Sequence, residues 1–395
     1  MYLFNPDNDL ALANFSPHYT PPVSALNIAK DLALLPVWYA SNGEKIIVEG
    51  EENEKFLSGL KEKFAIENTL ISFFDIAQFP QEKIIPWGWN PVLRKRLTAV
   101  GVHEENLPSI DDLKLLRQYS SRQNAVKMLH ELQENREGFC GESYFFDNVT
   151  DLLDYLSTEI YSVLKMPNSG SGKGLVWIKG NITDKQTDWA NRVIREQGGV
   201  VAEPVLNKTQ DFAMEFFAKN GKTDFSGYSL FKSADSGAYM GNFLLSDKKI
   251  EEELTKYISL ETISWIKDFY LKKLPEYFPH YNGYIGVDMM ICEASNEYKV
   301  QPCVEINLRM NMGMAARIFH DRFVHLNSSG RFVVDFFKKQ GEALAYQQKM
   351  QNDFPLVINA GKIVSGFLNL TPALEETKYM VWVLINNRTS VFPLA

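Results

Sequence analysis

Three side chains that carry oxygen ligands, Asp288, Glu305 and Asn307, lie on two neighbouring β-prone segments. The first segment, 285–292, is apolar except for one carboxylate, and the second, 298–306, ends at Glu305-Ile-Asn307. A short polar turn near position 296 would pair the two as a hairpin and bring Asp288 close to Glu305. Glu305 and Asn307 are two residues apart, so a strand places both on one face.

A carboxylate inside an apolar strand is costly unless something compensates its charge. Two carboxylates and an amide oxygen on one face suit Mg²⁺, which takes one or two carboxylates and completes its shell with water and phosphate. The alternative is structural, with Glu305 paired to Arg309 and Asp288 paired to a lysine. The hairpin alone does not decide between these two interpretations.

A second stretch with chemical potential follows a predicted strand over 161–166, which carries Lys165 near its end. Glycines let backbone N–H groups approach and cradle phosphate oxygens, and serine and lysine side chains add donors. The segment reads as a glycine-rich flap on a β-hairpin, with a flexible polar turn as the alternative. Its members are Ser169, Gly170, Ser171, Gly172, Lys173 and Gly174.

Three familiar phosphate-binding motifs do not fit this flap. A Walker A loop fails because Gly174 follows Gly172-Lys173, and Pro167 stands where its first glycine is required. A dinucleotide-binding fingerprint needs a helix after the loop, whereas 175–178 reads as a strand. A protein kinase places its glycine loop before the lysine, and here the order is reversed.

The composition sets the class of protein that positions these residues. A chain of 395 residues is long enough for two or three domains with their own cores. The net charge of −8 argues against a nucleic-acid-binding surface. Three scattered cysteines, six histidines without metal spacing and the lack of an apolar run of membrane length lead us to expect a cytoplasmic protein.

Strands alternate with helices over about the first hundred residues, which predicts a small parallel-sheet domain. The acceptor-rich turn 5–9 is interpreted as a capped turn that starts a helix, with ligand contact as the alternative. Trp87 and Trp89 pack an interface or line a pocket. At the other end, residues 331–395 are predicted to form a helix over 332–347 and a hairpin of strands 362–370 and 378–385, and no chemistry is assigned to them.

The order of these features resembles the ATP-grasp superfamily, which includes D-alanine–D-alanine ligase, biotin carboxylase and carbamoyl-phosphate synthetase. A strand lysine precedes a glycine-rich flap, a strand ends in an acidic hinge at Glu203, and a distal carboxylate hairpin ends in Glu-x-Asn. The resemblance covers roughly residues 110–325. It implies an α/β (α+β) fold in which a parallel-sheet pre-ATP-grasp domain precedes two α+β subdomains, with the domains 1–108, 109–206, 207–330 and 331–395.

The resemblance also implies roles for individual residues. Lys165 would contact the phosphates, the flap would close over them with Lys173 as a catalytic group, and Arg309 would stabilise developing negative charge. The hinge Glu203, Val205 and Leu206 would read adenine, Asp211 would bind the ribose, and Asp288, Glu305 and Asn307 would bind Mg²⁺. Two positions depart from the pattern: Arg122 stands nearest to the family's earlier lysine, and Gly286 stands where several peptide ligases have an arginine.

The activity implied is an ATP- and Mg²⁺-dependent ligase that activates a carboxylate as an acylphosphate for attack by an amine or another nucleophile. Phosphoryl transfer depends on positioning and charge neutralisation, and this agrees with the residue types found. A small-molecule kinase, a non-catalytic nucleotide sensor and a non-nucleotide binding module remain the alternatives. The expected partners are small-molecule substrates and a second copy in a homodimer, with no nucleic acid or membrane.

Overall fold

A computed structural model describes residues 1–170, 174–234, 236–294 and 297–386. Its strands form three sheets, two of four strands and one of nine. The first sheet is parallel and the other two are antiparallel, which confirms the predicted α/β (α+β) class. Within these described ranges, no helix combines the length and the apolar character needed to cross a membrane.

The N-terminal sheet has the strand order β3-β2-β1-β4 with every pair parallel, as the alternating pattern predicted. Its strands are β1 (Tyr2–Leu3), β2 (Lys45–Ile47), β3 (Thr69–Ile71) and β4 (Ile85–Pro86). The accompanying helices are α1 (Asn8–Asn14), α2 (Val23–Asp31), α3 (Glu51–Lys61) and α4 (Pro91–Ala99), with short 3₁₀ turns at Leu35–Trp38, Phe73–Gln78 and Glu104–Asn106. These short, buried strands place their following loops at one edge of the sheet.

The second sheet carries the lysine strand and the flap. Two helices lead into it, α5 (Ile110–Tyr119) and α6 (Arg122–Asn135), and a Ser109 capping box starts α5. The sheet order is β5-β8-β6-β7, made of β5 (Tyr144–Phe146), β6 (Tyr161–Lys165), β7 (Leu175–Lys179) and β8 (Val200–Pro204). Helices α7 (Val149–Thr158) and α8 (Asp184–Gln197) pack on it.

The nine-stranded sheet has the order β13-β12-β9-β10-β11-β14-β17-β16-β15. Its strands are β9 (Lys208–Lys219), β10 (Lys222–Ser233), β11 (Tyr239–Leu244), β12 (Gly283–Ala294), β13 (Glu297–Asn307), β14 (Ser329–Phe336), β15 (Val357–Asn359), β16 (Lys362–Asn369) and β17 (Tyr379–Asn386). The helices beside it are α9 (Asp247–Leu254), α10 (Leu260–Tyr277), α11 (Met312–Phe323) and α12 (Glu342–Asp353). The C-terminal strands therefore extend the sheet that holds the carboxylate hairpin.

The predicted helix over 332–347 is wrong in its first half. Residues Ser329–Phe336 form β14, paired with β11 and β17, and the helix begins only at Glu342. The run 332–337 is rich in valine and phenylalanine, which favour a pleated sheet surface, and sheet pairing decides its conformation. The predicted hairpin of the last two strands is confirmed by the antiparallel pairing of β16 with β17.

One hydrophobic core joins the N-terminal sheet to α11 and to the C-terminal strands. Trp38 lies fully buried against Phe319 and Phe323, with ring centroids 5.3 and 5.1 Å away, and its indole N–H donates to the carbonyl of Leu370 at 2.7 Å. This packing holds helix α2 close to β17, where the Asp31 carboxylate accepts from the backbone of Lys378. Helix α2 and strand β17, which lie far apart in the sequence, are therefore neighbours in the fold.

Candidate functional site

The carboxylate hairpin has the predicted register. Asp288 pairs directly with Glu305 across the two strands, and Gly286 pairs with Asn307. The Asn307 amide donates to the Asp288 carboxylate at 3.1 Å. Burial, and next the adjacent Glu305 carboxylate, raise the pKa of Asp288 to about 7. Two facing carboxylates thus repel each other at a point where a bound cation would relieve the repulsion.

Arg122 is the ion-pair partner of Glu305, with 2.7 Å between Nη2 and Oε1. The same guanidinium donates from Nη1 to the Ser169 hydroxyl at 2.6 Å and to the Met166 carbonyl at 2.7 Å. The buried first residue of α6 therefore links the base of the flap to the carboxylate face. The structural alternative for Glu305 named Arg309 as its partner, and the partner found here is Arg122.

Arg309 lies on the same face but pairs with the N-terminal part of the chain. Its Nε donates to Asp9 Oδ1 at 2.6 Å, and its Nη2 donates to the Asn307 amide oxygen at 3.0 Å. Asp9 sits in the first turn of α1, directly after the acceptor-rich turn. A Cβ at Gly170 would lie 2.3 Å from Asp9 Oδ2, so the flap glycine gives Asp9 the space it occupies.

Lys165 and Glu203 form a buried ion pair, with 2.6 Å between Nζ and Oε2. The other Glu203 oxygen accepts from the Ser143 hydroxyl at 3.0 Å. The strands β6 and β8 are neighbours, with Val163 opposite Glu203, and this pairing brings the lysine and the acid together. Lys165 thus places a positive charge at the base of the flap, and Glu203 places the balancing negative charge at the hinge.

The hinge and the predicted ribose ligand lie near this pair. Val205 is exposed, and its amide donates to the Tyr161 carbonyl at 2.9 Å, while Leu206 is half-buried in the connection to β9. Asp211 accepts from the Lys208 ammonium at 2.6 Å and from the Ser233 hydroxyl at 2.5 Å. The amide of Val205 is therefore engaged by the sheet, and the Asp211 carboxylate is held in place by three donors, since the Ser233 amide also donates to it at 3.2 Å.

The flap is described only in part. Ser171, Gly172 and Lys173 lie outside the described residues, so the predicted catalytic position of Lys173 stays a prediction. Gly174 adopts a left-handed φ of 79°, and its carbonyl accepts from the Met166 amide at 2.9 Å. This bond closes the base of the flap hairpin next to the Ser169 hydroxyl that Arg122 holds.

A carboxyl that the sequence analysis missed lies beside the hairpin. Glu215, on β9, is 1% exposed, and its Oε2 accepts from the Asn311 amide at 2.8 Å. Asn311 also caps α11, because its side-chain oxygen accepts from the Met314 amide at 2.8 Å. Burial raises the pKa of Glu215 to about 8. A Cβ at Gly286 would lie 2.5 Å from Asn311 Nδ2 and 2.9 Å from Glu215 Oε2, so the pair fills the space that a side chain at 286 would need.

A polar chain continues from this pair across the sheet. The Asn242 amide donates to the Ser229 hydroxyl at 2.5 Å, and the Tyr239 hydroxyl donates to the Asn242 oxygen. A Cβ at Gly313 would lie 2.3 Å from Glu215 Oε1 and 2.6 Å from Ser229 Oγ. The absence of a side chain at 313 therefore lets the Glu215 carboxyl and the Ser229 hydroxyl share this space.

A cleft of about 560 Å³ opens beside the carboxylate face. The carboxylate face, the Glu215–Asn311 pair, Asp9 and Gly170 line one part of it. Trp87 contributes to the wall and also packs on Phe4 with ring centroids 4.9 Å apart, so both interpretations of this tryptophan hold. Among the described residues, no group of three or more His, Cys, Asp or Glu side chains lies close enough to hold a metal ion, and the predicted set has two carboxylates and an amide.

Two signals in the sequence point to the missed residues. Glu215 is a carboxylate within the alternating apolar strand 211–218, which is the pattern that singled out Asp288. Asn311 continues the every-second-residue series Glu305, Asn307, Arg309, so it belongs to the same polar edge. Asp9 belongs to the acceptor-rich turn 5–9, for which ligand contact was the alternative interpretation, but its partner Arg309 is 300 positions away and could not be identified.

No protein-family model matches the sequence, and no curated protein matches it either. Solved structures do match over most of the chain. A biotin carboxylase–β-γ-ATP complex from Campylobacter jejuni is 9% identical and has a TM-score of 0.54, covering 97% of this chain and 86% of that chain. N5-carboxyaminoimidazole ribonucleotide synthetase from Thermus thermophilus is 10% identical, with a TM-score of 0.50 and 91% coverage of both chains.

A complex of the latter type of enzyme with ADP is 12% identical, with a TM-score of 0.50 and coverage of 98% of this chain and 92% of that chain. At such low identity the likeness concerns the fold. The chain therefore shares the fold of these enzymes, which confirms the α/β (α+β) fold that the resemblance implied.

Proposed function

We propose that this protein is an ATP- and Mg²⁺-dependent ligase that activates a substrate carboxylate as an acylphosphate, which an amine or another nucleophile then attacks. The observation that carries the proposal is the direct pairing of Asp288 with Glu305 beside Arg122 and Arg309, in a chain with the ATP-grasp fold. Opposed carboxylates flanked by two guanidinium groups suit the binding of a metal–polyphosphate complex.

The residues fit Mg²⁺ by their donor chemistry. Asp288, Glu305 and Asn307 would hold the ion with hard oxygen ligands. Burial first, and next the facing Glu305 carboxylate, raise the pKa of Asp288, and a bound cation would offset both effects. When bound, the ion neutralises phosphate charge and orients the transferred group. We assign nucleotide binding to the region between the hinge strand β8 and the carboxylate hairpin.

The side chains of the chain have distinct tasks in the proposed reaction. Arg122 and Arg309 bring fixed positive charge to the phosphate side, and Lys165 is poised at the flap base with its charge balanced by Glu203. In the first step a substrate carboxylate oxygen attacks the γ-phosphorus and ADP leaves. In the second step the nucleophile attacks the acyl carbon, inorganic phosphate leaves, and the nucleophile loses a proton.

The main competing function is an ATP-grasp kinase, which transfers the phosphate without the second step. The volume of about 560 Å³ favours the ligase, because the cleft extends beyond the carboxylate face and leaves room for a second substrate. A nucleotide sensor without turnover is less well supported, because Asp288, Glu305, Asn307 and Arg309 are all retained on one face.

Thermal unfolding with and without ATP and Mg²⁺ tests the proposal on the wild type and on Glu305→Gln. A ligand at about a hundredfold its dissociation constant adds about 2.7 kcal/mol to the free energy of unfolding, which raises Tm by several degrees. We expect a Mg²⁺-dependent rise in the wild type that shrinks in Glu305→Gln. Glu297→Gln, an exposed change on the same strand, serves as the matched control and should keep the full rise.

Because Glu305 also pairs with Arg122, the variant will have a lower starting Tm, and the comparison uses the ligand-induced shift alone. ADP release with panels of acids and amines would follow a positive result. If millimolar ATP with Mg²⁺ leaves the Tm of the wild type unchanged, the nucleotide site and the ligase proposal both fail.

A further inference from the structure

The cleft continues from the carboxylate face into an apolar part built by the two ends of the chain. Helix α2 supplies Ala25 and Ile28, and the strands β14 and β17 supply Val334, Phe336 and Tyr379. The rings of Phe336 and Tyr379 lie 5.0 Å apart, and Phe336 is 60% exposed although it is aromatic. Within the described part of the chain, no residue of the hinge 203–206 lines this cleft, so its apolar part lies away from the adenine side.

This apolar part has a fixed shape. The Asp31 carboxylate, at the end of α2, accepts from the backbone amides of Lys378 and Tyr379 at 2.8 and 3.0 Å. These bonds hold the helix against the strand that carries Tyr379. An aromatic pair with one exposed and one half-buried ring, on a wall of the cleft that hydrogen bonds hold in place, is suited to stacking against an apolar or aromatic group of a ligand.

The charges that line the cleft beside Glu215 disfavour an anionic group on the substrate that supplies the nucleophile. Among the described lining residues, the acidic and basic side chains are four carboxyls and one guanidinium, namely Asp9, Glu215, Asp288, Glu305 and Arg309. Arg309 already pairs with Asp9, and Glu305 pairs with Arg122. Asp288 and Glu215 receive hydrogen bonds from the amides of Asn307 and Asn311. With Asp288 assigned to the metal, Glu215 is the carboxyl left to meet the second substrate.

We infer that this cleft binds, as the nucleophile of the ligation, an amine that bears an apolar or aromatic body and no phosphate. This inference rests on the proposed ligase function, because the amine acts as a nucleophile only if the protein is a ligase. Glu215, positioned by Asn311, receives the amino group, and Phe336 with Tyr379 receives the body. The geometry places the amino end near the carboxylate face, where the activated acyl group would form, and the body toward α2.

The chemistry of each end supports this class of substrate. A carboxyl that is buried with only an amide donor gains from a cationic or hydrogen-bond-donating partner. A phosphate in the same cleft would meet carboxyls and an aromatic wall, and its only described lining cation, Arg309, is engaged by Asp9. An aromatic ring between α2 and Phe336 would bury apolar surface on both of its faces.

Ligand-observed saturation-transfer NMR with three matched probes tests the inference in the presence of Mg²⁺ and ADP. The probes are 2-phenylethylamine, O-phosphoethanolamine, which replaces the ring by phosphate, and 3-phenylpropionate, which replaces the amine by a carboxylate. Variants Phe336→Ala and Glu215→Gln are compared with Phe74→Ala, another exposed phenylalanine with an aromatic neighbour, on the 3₁₀ turn Phe73–Gln78. We expect 2-phenylethylamine to bind and each of the first two variants to weaken it about fivefold.

Each outcome has a defined meaning. Binding of O-phosphoethanolamine or 3-phenylpropionate as tight as that of 2-phenylethylamine overturns the substrate class, as does equal binding by the Phe336→Ala and Phe74→Ala proteins. The inference is also overturned if none of the probes binds at millimolar concentration. The Tm shift with Mg²⁺ and ATP is read on the same samples. A Tm shift without amine binding contradicts this inference but not the ligase proposal. Amine binding without a Tm shift contradicts the ligase proposal, and the cleft is then an amine site only.

Discussion

The Nε of Arg309 donates to the Asp9 carboxylate at 2.6 Å, although the two residues are 300 positions apart. Both side chains are largely buried, with exposures of 15% and 21%. This pair joins the N-terminal sheet domain to the carboxylate face of the nine-stranded sheet. It also places a carboxylate on the guanidinium that the proposed reaction needs for developing negative charge, so nucleotide and Asp9 compete for Arg309.

The substitution Asp9→Asn should separate the contribution of the Asp9–Arg309 ion pair to stability from its effect on nucleotide binding. The loss of charge weakens a partly buried ion pair, and we expect the free energy of unfolding to fall by about 1–2 kcal/mol. The Tm rise with Mg²⁺ and ATP should be larger than in the wild type, because Arg309 no longer has to leave a carboxylate. Urea unfolding and thermal shifts measure the two quantities. Asp154→Asn, an exposed change on α7, should alter neither, and an unchanged nucleotide shift in Asp9→Asn would contradict the competition.

Stability without ligands should fall as the pH rises toward neutrality, and Glu215 should account for part of this fall. Its pKa is about 8 in the folded protein and 4.5 ordinarily, so the folded state binds the proton more tightly than the unfolded state. The contribution is complete below pH 4.5 and is lost as the pH rises to about 8, at up to about 1.4 kcal/mol per pH unit for one proton.

The variant Glu215→Gln keeps the shape of the protonated side chain and cannot ionise, so its stability should vary less between about pH 5 and 8. Urea midpoints across this range, compared with the wild type and with the exposed change Glu297→Gln, measure the difference. A slope for Glu215→Gln as steep as that of the wild type would mean that Glu215 is ionised in the folded protein throughout.

The site elements that depend on local pattern could be predicted from the sequence. The alternation around Asp288 and Glu305, with a short turn between them, predicted that the two carboxylates lie close together across the hairpin. The structure pairs them directly, after a β-bulge between Asp288 and Met290 that the pattern does not encode. The flap hairpin and the hinge strand followed from glycine content and an acidic residue that ends an apolar run. In these cases the interacting strands are close together in the sequence, so a local pattern is enough to predict that they pair.

Contacts between distant segments could not be predicted, because no local periodicity encodes them. Arg122 and Glu305 are 183 positions apart, so Glu305 could be identified as the partner of Arg122 only from the arrangement of the sheets in the fold. The predicted helix over 332–347 fails in the run 332–337, because the pairing with β11 and β17 that makes this run a strand joins distant segments. The walls of the cleft have the same origin, since α2 and β17 are distant segments that the shared core around Trp38 and the hydrogen bonds to Asp31 bring together.

The buried pair of Lys165 and Glu203 should be strongly coupled. Lys165→Met leaves Glu203 buried without a counter-charge, which costs about 3–5 kcal/mol of stability. The double variant Lys165→Met/Glu203→Gln should lose less than the sum of the single losses by about 1–3 kcal/mol. Urea unfolding of the four proteins measures the coupling. Lys349→Met, at an exposed pair on α12, provides the control and should cost less than about 1 kcal/mol. Additive losses would show that water reaches the buried pair.

Gly286→Ala tests whether the space beside the hairpin belongs to the Glu215–Asn311 pair. The new Cβ would lie 2.5 Å from Asn311 Nδ2 and 2.9 Å from Glu215 Oε2, so these side-chain ends must move apart. Loss of their hydrogen bond should cost about 1–3 kcal/mol of stability. Gly59→Ala, on helix α3 with no atom within 4 Å of its Cβ, should instead add about 0.5–1 kcal/mol. Equal stability of the Gly286→Ala and Gly59→Ala proteins in urea would show that the pair does not need the glycine.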